Sequence, residues 1–142
     1  MFKKIILIVF LFLDIMVNAQ TEKDTVHLKI EPFNFNDIPE AIDGGACYFS
    51  SSIDNFRNNE YIFVNDFASY GCIKTNGLVQ LLDLSSYNME NKEFTYTGRD
   101  IVVKIRIKNV LEKNDELYSI VEFKVKSKSG SFEGILVGRC DC

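Results

Sequence analysis

The stretch IVVKIRIKNVLEKNDELYSIVEFKV, residues 101–125, decides the fold class of this chain. Apolar and polar residues alternate in it with a period of two, which predicts β-strands, because successive side chains of a strand point to opposite faces. A one-residue slip in the pairing would set Ile105 against Glu122 and move the apolar set to the wrong face. We therefore expect an antiparallel hairpin with its loop at residues 112–116. The register that keeps the apolar residues on one face pairs Ile107 with Val121, Ile105 with Phe123, and Val103 with Val125.

Two further hairpins are predicted on either side of this stretch. An Asn-Gly dipeptide at 76–77 separates two apolar runs, and it is a strong hairpin signal because a type I′ turn needs two residues with positive φ. That turn places Thr75 opposite Leu78, and Cys72 opposite Leu81. The last hairpin is expected to turn at Ser129-Gly130, which places Phe123 opposite Leu136, Val121 opposite Gly138, and Lys126 opposite Glu133.

The rest of the chain carries short strand-like segments and irregular connections. They are the strands TVHLKI (25–30), ACYFS (46–50) and EYIFVND (60–66), one serine-capped helical turn within 50–59, and a polar connection at 85–93. The pattern predicts an all-β fold, a small antiparallel barrel or sandwich of about eight strands stabilised by disulfides. The expected organisation is a signal peptide at 1–19, an N-terminal strand and irregular arm at 20–45, and a barrel-like body at 46–142 that forms one domain with the arm.

The first residues of the chain are typical of a secretory signal peptide. Lys3 and Lys4 precede an apolar run from residue 5 to residue 13, and small residues follow up to Ala19. A membrane anchor is the alternative, but it needs about 20 apolar residues, and Asp14 interrupts this run. We expect cleavage after Ala19, no transmembrane anchor in the processed chain, and secretion or a periplasmic location. The abundance of Ile, Asn, Lys and Phe favours a bacterial source with an AT-rich genome.

Composition limits the partners. The formal net charge is −4, and this acidic balance argues against general binding of nucleic acid, which depends on a basic surface. The expected partner is an unidentified protein or a small-molecule ligand.

The four cysteines are Cys47, Cys72, Cys140 and Cys142. An even number in an exported chain predicts disulfides. Cys140 and Cys142 share a strand face about 6.5 Å apart, near the upper limit for a bridge, so we expect them to bridge to Cys47 and Cys72 in an order that the sequence leaves open. Metal binding and redox chemistry are the alternatives, but a single C-x-C pair is not the usual spacing of a structural zinc site.

Residues with catalytic potential are few. His27 is the only histidine, and it has polar neighbours on the predicted first strand, which favours a surface residue over a general base. We find no nucleophile motif, phosphate-binding loop or metal motif. The sequence therefore predicts a protein that is not an enzyme, with no catalytic residues, no cofactor and no metal.

Two groups of residues are candidates for binding. The first consists of basic side chains on the outer face of the central hairpin, which form a candidate anion or partner site or else a solvated surface: Lys104, Arg106, Lys108, Lys124 and Lys126. The second is aromatic and lines a cavity or contact surface, or else fills the core: Phe33, Phe35, Tyr48, Phe49 and Phe56.

The segments ASYGCIKTNGLVQLLDL (68–84) and FTYTGRDIVVKI (94–105) give a succession of strands separated by turn glycines. In this rhythm the chain resembles the small secreted lysozyme inhibitors of the membrane-bound C-type class. The resemblance implies an eight-stranded antiparallel barrel held by a disulfide. Where that family carries a serine-glycine loop, this chain reads SSYNMENKE (85–93), so no functional residue is transferred. The sequence favours a secreted binding or interaction module without catalysis, with an inhibitor of a lysozyme-like cell-wall hydrolase as the alternative.

Overall fold

The structure is a computed structural model that describes residues 27–42 and 45–141. The predicted signal peptide and its cleavage site lie outside the described residues, as do Thr25 and Val26 of the predicted first strand. The described part is mostly β-structure, with 62% of residues in strands. Its elements are β1 (Ile30–Glu31), β2 (Cys47–Ser50), α1 (Ile53–Arg57), β3 (Phe63–Asn65), β4 (Tyr70–Thr75), β5 (Leu78–Asn88), β6 (Glu93–Gly98), β7 (Ile101–Lys113), β8 (Glu116–Ser127) and β9 (Gly130–Cys140).

Strands β2 to β9 form a closed, eight-stranded antiparallel barrel, which confirms the predicted fold class. Each strand pairs with the next along the chain, and β2 pairs with β9 to close the ring. The short β1 extends the wall, because it pairs with Lys74 and Thr75 of β4 just beyond the residues that pair with β3. Closure matters physically because an open sheet would leave two strand edges unpaired.

The barrel interior is filled by side chains. Every second side chain of each strand points inward. The buried core that results comprises Cys47, Phe49, Phe63, Ile73, Leu82, Phe94, Tyr96, Ile101, Val103, Ile105, Val121, Phe123, Val125 and Leu136. A second, smaller core lies outside the wall under the N-terminal arm and contains Phe33, Ile42, Ala46, Tyr61, Val64 and Cys72.

The aromatic residues singled out from the sequence are divided between these cores. Phe49 points into the barrel, Phe33 belongs to the outer core, and Tyr48 and Phe56 pack against the outer core. Only Phe35 of this group is exposed, and its ring stacks on that of Tyr48 with 6.2 Å between the ring centroids. Most of these rings therefore fill core space.

The predicted registers of two hairpins are confirmed. Ile107 pairs with Val121 and Ile105 with Phe123 in the β7–β8 ladder. In the β4–β5 hairpin Thr75 pairs with Leu78 and Cys72 with Leu81, and the turn residues Asn76 and Gly77 both have positive φ. The helical turn is also present, with Ser52 as the N-cap of α1.

Several predicted boundaries are wrong because strands continue into segments read as loops. The β7–β8 pairing runs on to Lys113 and Glu116, so the predicted loop at 112–116 shrinks to Asn114 and Asp115. Both turn residues have positive φ, a conformation that asparagine and aspartate tolerate. The polar connection predicted at 85–93 is likewise shorter, since β5 extends to Asn88. At the N-terminus, β1 is only two residues long.

The predicted register of the last hairpin is also wrong, by two residues. Ser127 pairs with Gly130, so the turn is formed by Lys128 and Ser129, and Val121 meets Leu136 instead of Gly138. A slip of two residues leaves every side chain on its predicted face, and the apolar pattern therefore does not distinguish the two registers.

One disulfide closes the barrel, between Cys47 on β2 and Cys140 on β9. These residues are direct partners in the β2–β9 ladder, with 3.9 Å between their Cα atoms. The predicted bridge at Cys72 is wrong: Cys72 is a buried free thiol. It points outward from β4 into the outer core, whereas Cys47 belongs to the inner core. Cys142 lies outside the described residues.

Gly138 is required where β9 approaches β2 closely, because a Cβ at this position would overlap the carbonyl oxygen of Tyr48 and the ring of Phe49. We predict that Gly138→Ala destabilises the protein by roughly 1–3 kcal/mol, the usual range for overpacking, and weakens the closure. Urea denaturation followed by far-UV circular dichroism measures this change. Gly134→Ala on the same strand is the matched control, since its Cβ would meet only the ring of the exposed Phe132. Equal losses for both variants would contradict the role of Gly138.

Cys72 should be unreactive in the folded protein. Burial raises the pKa of its thiol to about 12, and only the thiolate is an effective nucleophile. In a Cys142→Ser background we predict no reaction with a thiol reagent at pH 8 before unfolding, and one thiol after unfolding without reductant. Two bridged sulfurs and one free thiol account for that count. A fast reaction of the native protein would contradict the burial of Cys72.

Candidate functional site

The five basic residues predicted as a candidate anion or partner site lie together on the outer face of β7 and β8. They follow the ladder in successive rows: Lys126 opposite Val102, Lys124 opposite Lys104, and Arg106 opposite Glu122, with Lys108 next along β7. We call this surface the cationic face. Its backbone is rigidly placed, because β6 and β9 pair with β7 and β8 on either side.

At one end of the cationic face, two of the basic residues share one carboxylate. Arg106 Nη2 lies 2.6 Å from Glu122 Oε2, and Lys108 Nζ lies 3.2 Å from Glu122 Oε1. A β-bulge brings Lys108 into this group, since it has no ladder partner between the pairs of Ile107 and Asn109. The hydrogen bond from Lys108, followed by that from Arg106, holds the pKa of Glu122 below its ordinary value.

At the centre of the cationic face, two lysines lie directly opposite each other in the ladder. Lys104 and Lys124 are direct cross-strand partners, and both are exposed. Neither forms an ion pair with a carboxylate anywhere in residues 27–42 and 45–141, although Glu133 is the ladder partner of Lys124. Like charges directly opposite each other in a ladder are unfavourable. This pair is therefore the part of the face that a bound anion would stabilise.

A surface depression of about 130 Å³ lies over this pair. It is lined by Glu93, Lys104, Arg106, Glu122 and Lys124. The lining carries three cations and two carboxylates, and one of those carboxylates, Glu122, is already engaged by Arg106 and Lys108. Lys104 and Lys124 therefore line the depression without an ion-pair partner, whereas Arg106 is held by Glu122 through Nε and Nη2.

The structure places His27 and the metal-ligating residue types apart from one another in the described residues. His27 is exposed and lies outside β1, and its main-chain carbonyl accepts a hydrogen bond from the side-chain amide of Asn76. No group of three or more histidine, cysteine, aspartate or glutamate residues comes together in residues 27–42 and 45–141. In the same part of the chain, no helix has the length and apolar character needed to cross a membrane.

The two ends of the barrel differ. At the end that carries the disulfide, the opening is closed by packed rings: Phe94 lies between Phe67 and Tyr87, with centroid distances of 4.4 and 4.2 Å. At the opposite end, an open depression of about 360 Å³ has Leu28, Leu78 and Ile101 among its lining residues. Since the interior below it is filled, this opening is a shallow recess in the barrel end.

One cluster of charged and aromatic residues could not be anticipated from the sequence. The hydroxyl of Tyr118 on β8 donates to Glu116 Oε2 at 2.6 Å, and Arg139 of β9 lies over the Tyr118 ring, 5.9 Å from its centroid. The ring of Phe56 in α1 meets Tyr118 edge to face. The hydrogen bond from Tyr118 lowers the pKa of Glu116. The contact between Phe56 and Tyr118 attaches α1 to the barrel wall and joins segments far apart in the chain.

Comparison with known proteins identifies no relative, because no family model, curated protein or solved structure matches the chain. The class of protein is therefore defined by the architecture, a disulfide-bonded, eight-stranded antiparallel barrel with a cationic face on its wall.

The ion pairs of Glu122 with Arg106 and Lys108 predict a lowered pKa for this carboxyl group. Its pKa should lie below that of an ordinary glutamate and move back up in Lys108→Ala, because the hydrogen bond from Lys108 is the largest cause of the shift. Carboxyl ¹³C chemical shifts recorded against pH measure the value directly. Lys126→Ala is the matched control, since Lys126 lies two rows away along the ladder. A Glu122 pKa that is the same in the wild type and in Lys108→Ala would contradict the network.

Proposed function

We propose that the protein is an exported, non-catalytic binding module that holds an anionic ligand or an anionic patch of a partner on the cationic face. The observation that carries this proposal is the directly opposed pair Lys104 and Lys124, neither of which forms an ion pair in the described residues. Placing two lysines opposite each other costs stability unless a bound anion relieves the repulsion. The disulfide between Cys47 and Cys140 supports an oxidising location, which agrees with the signal peptide predicted at 1–19.

The geometry favours a ligand with two or more anionic oxygens close together. Opposed residues of an antiparallel ladder have Cβ atoms about 4.5–5.5 Å apart, so both ammonium groups reach one phosphate or carboxylate group. Arg106 borders the same depression and presents a guanidinium of fixed geometry, already oriented by Glu122. The acidic balance of the chain, with a net charge of −4, makes this a local site and not a general polyanion surface.

Binding of inorganic tripolyphosphate, measured by isothermal titration calorimetry, tests the proposal. We expect the double variant Lys104→Ala/Lys124→Ala to bind about tenfold more weakly than the wild type, because each exposed ion pair contributes up to about 1 kcal/mol. Affinity should also fall as salt is raised, since exposed charges are screened. Lys29→Ala/Lys74→Ala removes the same charge from the residue before β1 and from β4, and it should leave the affinity unchanged.

The outcomes separate the site from the charge of the whole chain. Equal weakening by both double variants would indicate nonspecific attraction and contradict a site at the cationic face. Absence of binding by the wild type at low salt would contradict the proposal outright. Glu122→Gln provides a gain of function, since it frees Arg106 and Lys108 from their shared carboxylate and should tighten binding.

A second candidate is inhibition of a lysozyme-like cell-wall hydrolase. The observation in its favour is the closed eight-stranded barrel with one disulfide, the architecture that the sequence resemblance implies. A turbidity assay of C-type lysozyme on bacterial cell walls tests it with the same purified protein. Loss of lysozyme activity at equimolar protein would favour the inhibitor function, and unchanged lysozyme activity would exclude it.

A further inference from the structure

The hairpin formed by β7 and β8 projects beyond the barrel wall. On one side, the β6–β7 ladder ends where Glu93 meets Arg106, and the Ile107 amide then donates to the carbonyl oxygen of Lys92 at 3.1 Å. On the other side, the β8–β9 ladder ends where Ser119 meets Gly138. On the β7 side, residues 108–113 therefore extend past β6 within the described part of the chain, whereas on the β8 side Arg139 of β9 still covers Tyr118.

The edge of this hairpin on the β7 side exposes unpaired backbone groups. Lys113 and Glu116 flank the two-residue turn, and pairs that flank such a turn exchange both hydrogen bonds. The alternation of an antiparallel ladder then directs the N–H and C=O groups of Leu111 toward β8 and those of Val110 and Glu112 away from it. Two residues thus present four free backbone groups, and no strand in residues 27–42 and 45–141 pairs with them.

The same hairpin carries apolar side chains that are not covered. Val110 is 61% exposed, Leu111 is 41% exposed and Leu117 is 62% exposed. An exposed strand edge with apolar side chains is a template for pairing with another strand, and proteins usually protect such edges with charges, bulges or proline. The bulge at Lys108 lies at the base of this edge and does not protect the part from Asn109 to Lys113, whose two charges, on Glu112 and Lys113, are of opposite sign.

We propose that this edge pairs with the same edge of a second copy of the chain, forming a two-fold symmetric dimer through a continuous four-stranded ribbon. An antiparallel pairing of identical strands is isologous, so each contact occurs twice and the interface closes on itself. The proposal is independent of the anion site, since Lys104 and Lys124 lie on the barrel wall, below the projecting part of β7.

Only one register satisfies the constraints. Hydrogen bonding requires the outward groups of Val110 and Glu112 to meet outward groups of the second strand. Centring the two-fold axis on Val110 would set Lys113 of the partner subunit directly opposite Ile107, whose amide is already bonded to the carbonyl oxygen of Lys92. Centring it on Glu112 would set two carboxylates directly opposite each other. The axis therefore lies at Leu111.

In this register the edge is self-complementary. Leu111 meets Leu111 of the partner subunit, and Val110 exchanges two backbone hydrogen bonds with Glu112 of the partner subunit. Asn109 lies opposite Lys113 of the partner subunit, so no like charges are directly opposed. Four backbone hydrogen bonds and a small apolar contact make a limited interface, and interfaces below the standard size give weak, concentration-dependent association.

Cysteine cross-linking tests the register. Leu111 forms a non-hydrogen-bonded pair with its symmetry mate, for which Cα atoms are about 4.5 Å apart, a distance that a disulfide spans. In a Cys142→Ser background, Leu111→Cys should oxidise to a reducible covalent dimer. Leu117→Cys is the matched control, since Leu117 is the more exposed residue of the two but lies on β8, away from the shared edge. Equal cross-linking of both variants would indicate random collision and overturn the proposal.

Analytical ultracentrifugation of the full exported chain gives the second readout. The wild type should pass from monomer to dimer as its concentration rises toward about 1 mM, the range of a weak interface. Val110→Pro removes one outward N–H that the β7–β8 ladder does not use, so it should abolish the dimer and leave the far-UV circular dichroism spectrum unchanged. A wild type that stays monomeric throughout, or a Val110→Pro protein that dimerises like the wild type, would overturn the proposal.

Discussion

The rest of the structure depends on the pairing of β2 with β9. All other neighbours in the barrel are consecutive along the chain, whereas this pair joins segments 93 residues apart at the disulfide. In the chain-entropy model a bridge over a loop of that length contributes about 4–5 kcal/mol. The ladder it secures is only four residues long. Without the β2–β9 pairing, the eight strands would form an open sheet with two unpaired edges.

Closure of the barrel also requires a glycine where β9 and β2 come close together. Gly138 lies where β9 comes closest to the backbone of β2, and a Cβ there has no room. Phe63 on β3 and Phe123 on β8, the strands that flank this seam, fill the interior beside it, with 5.8 Å between their ring centroids. The interior is therefore packed as a core, and the surface that remains for binding is the outer wall and its rims.

The unequal lengths of the strands produce the two features with functional potential. β7 and β8 have 13 and 12 residues, whereas β2 and β3 have four and three. The long pair gives the wall enough outer surface to carry the rows of basic residues. The same excess length lifts the tip of the hairpin above its neighbours, which leaves the edge at Val110 and Glu112 unpaired. The bulge at Lys108 separates these regions and turns Lys108 toward Glu122.

The sequence by itself determined the all-β class, the faces of the strands and the register of the β7–β8 hairpin, because period-two alternation fixes which side chains share a face. It also brought the five basic residues onto one surface, since they alternate along two strands whose pairing was predictable. Alternation did not distinguish registers that differ by two residues, and so the turn at Lys128 and Ser129 was missed. Only the tertiary structure decided that Cys72 is a buried free thiol. Its burial without a bridge depends on which wall residues the N-terminal arm covers, and that long-range packing leaves no periodic signal in the chain.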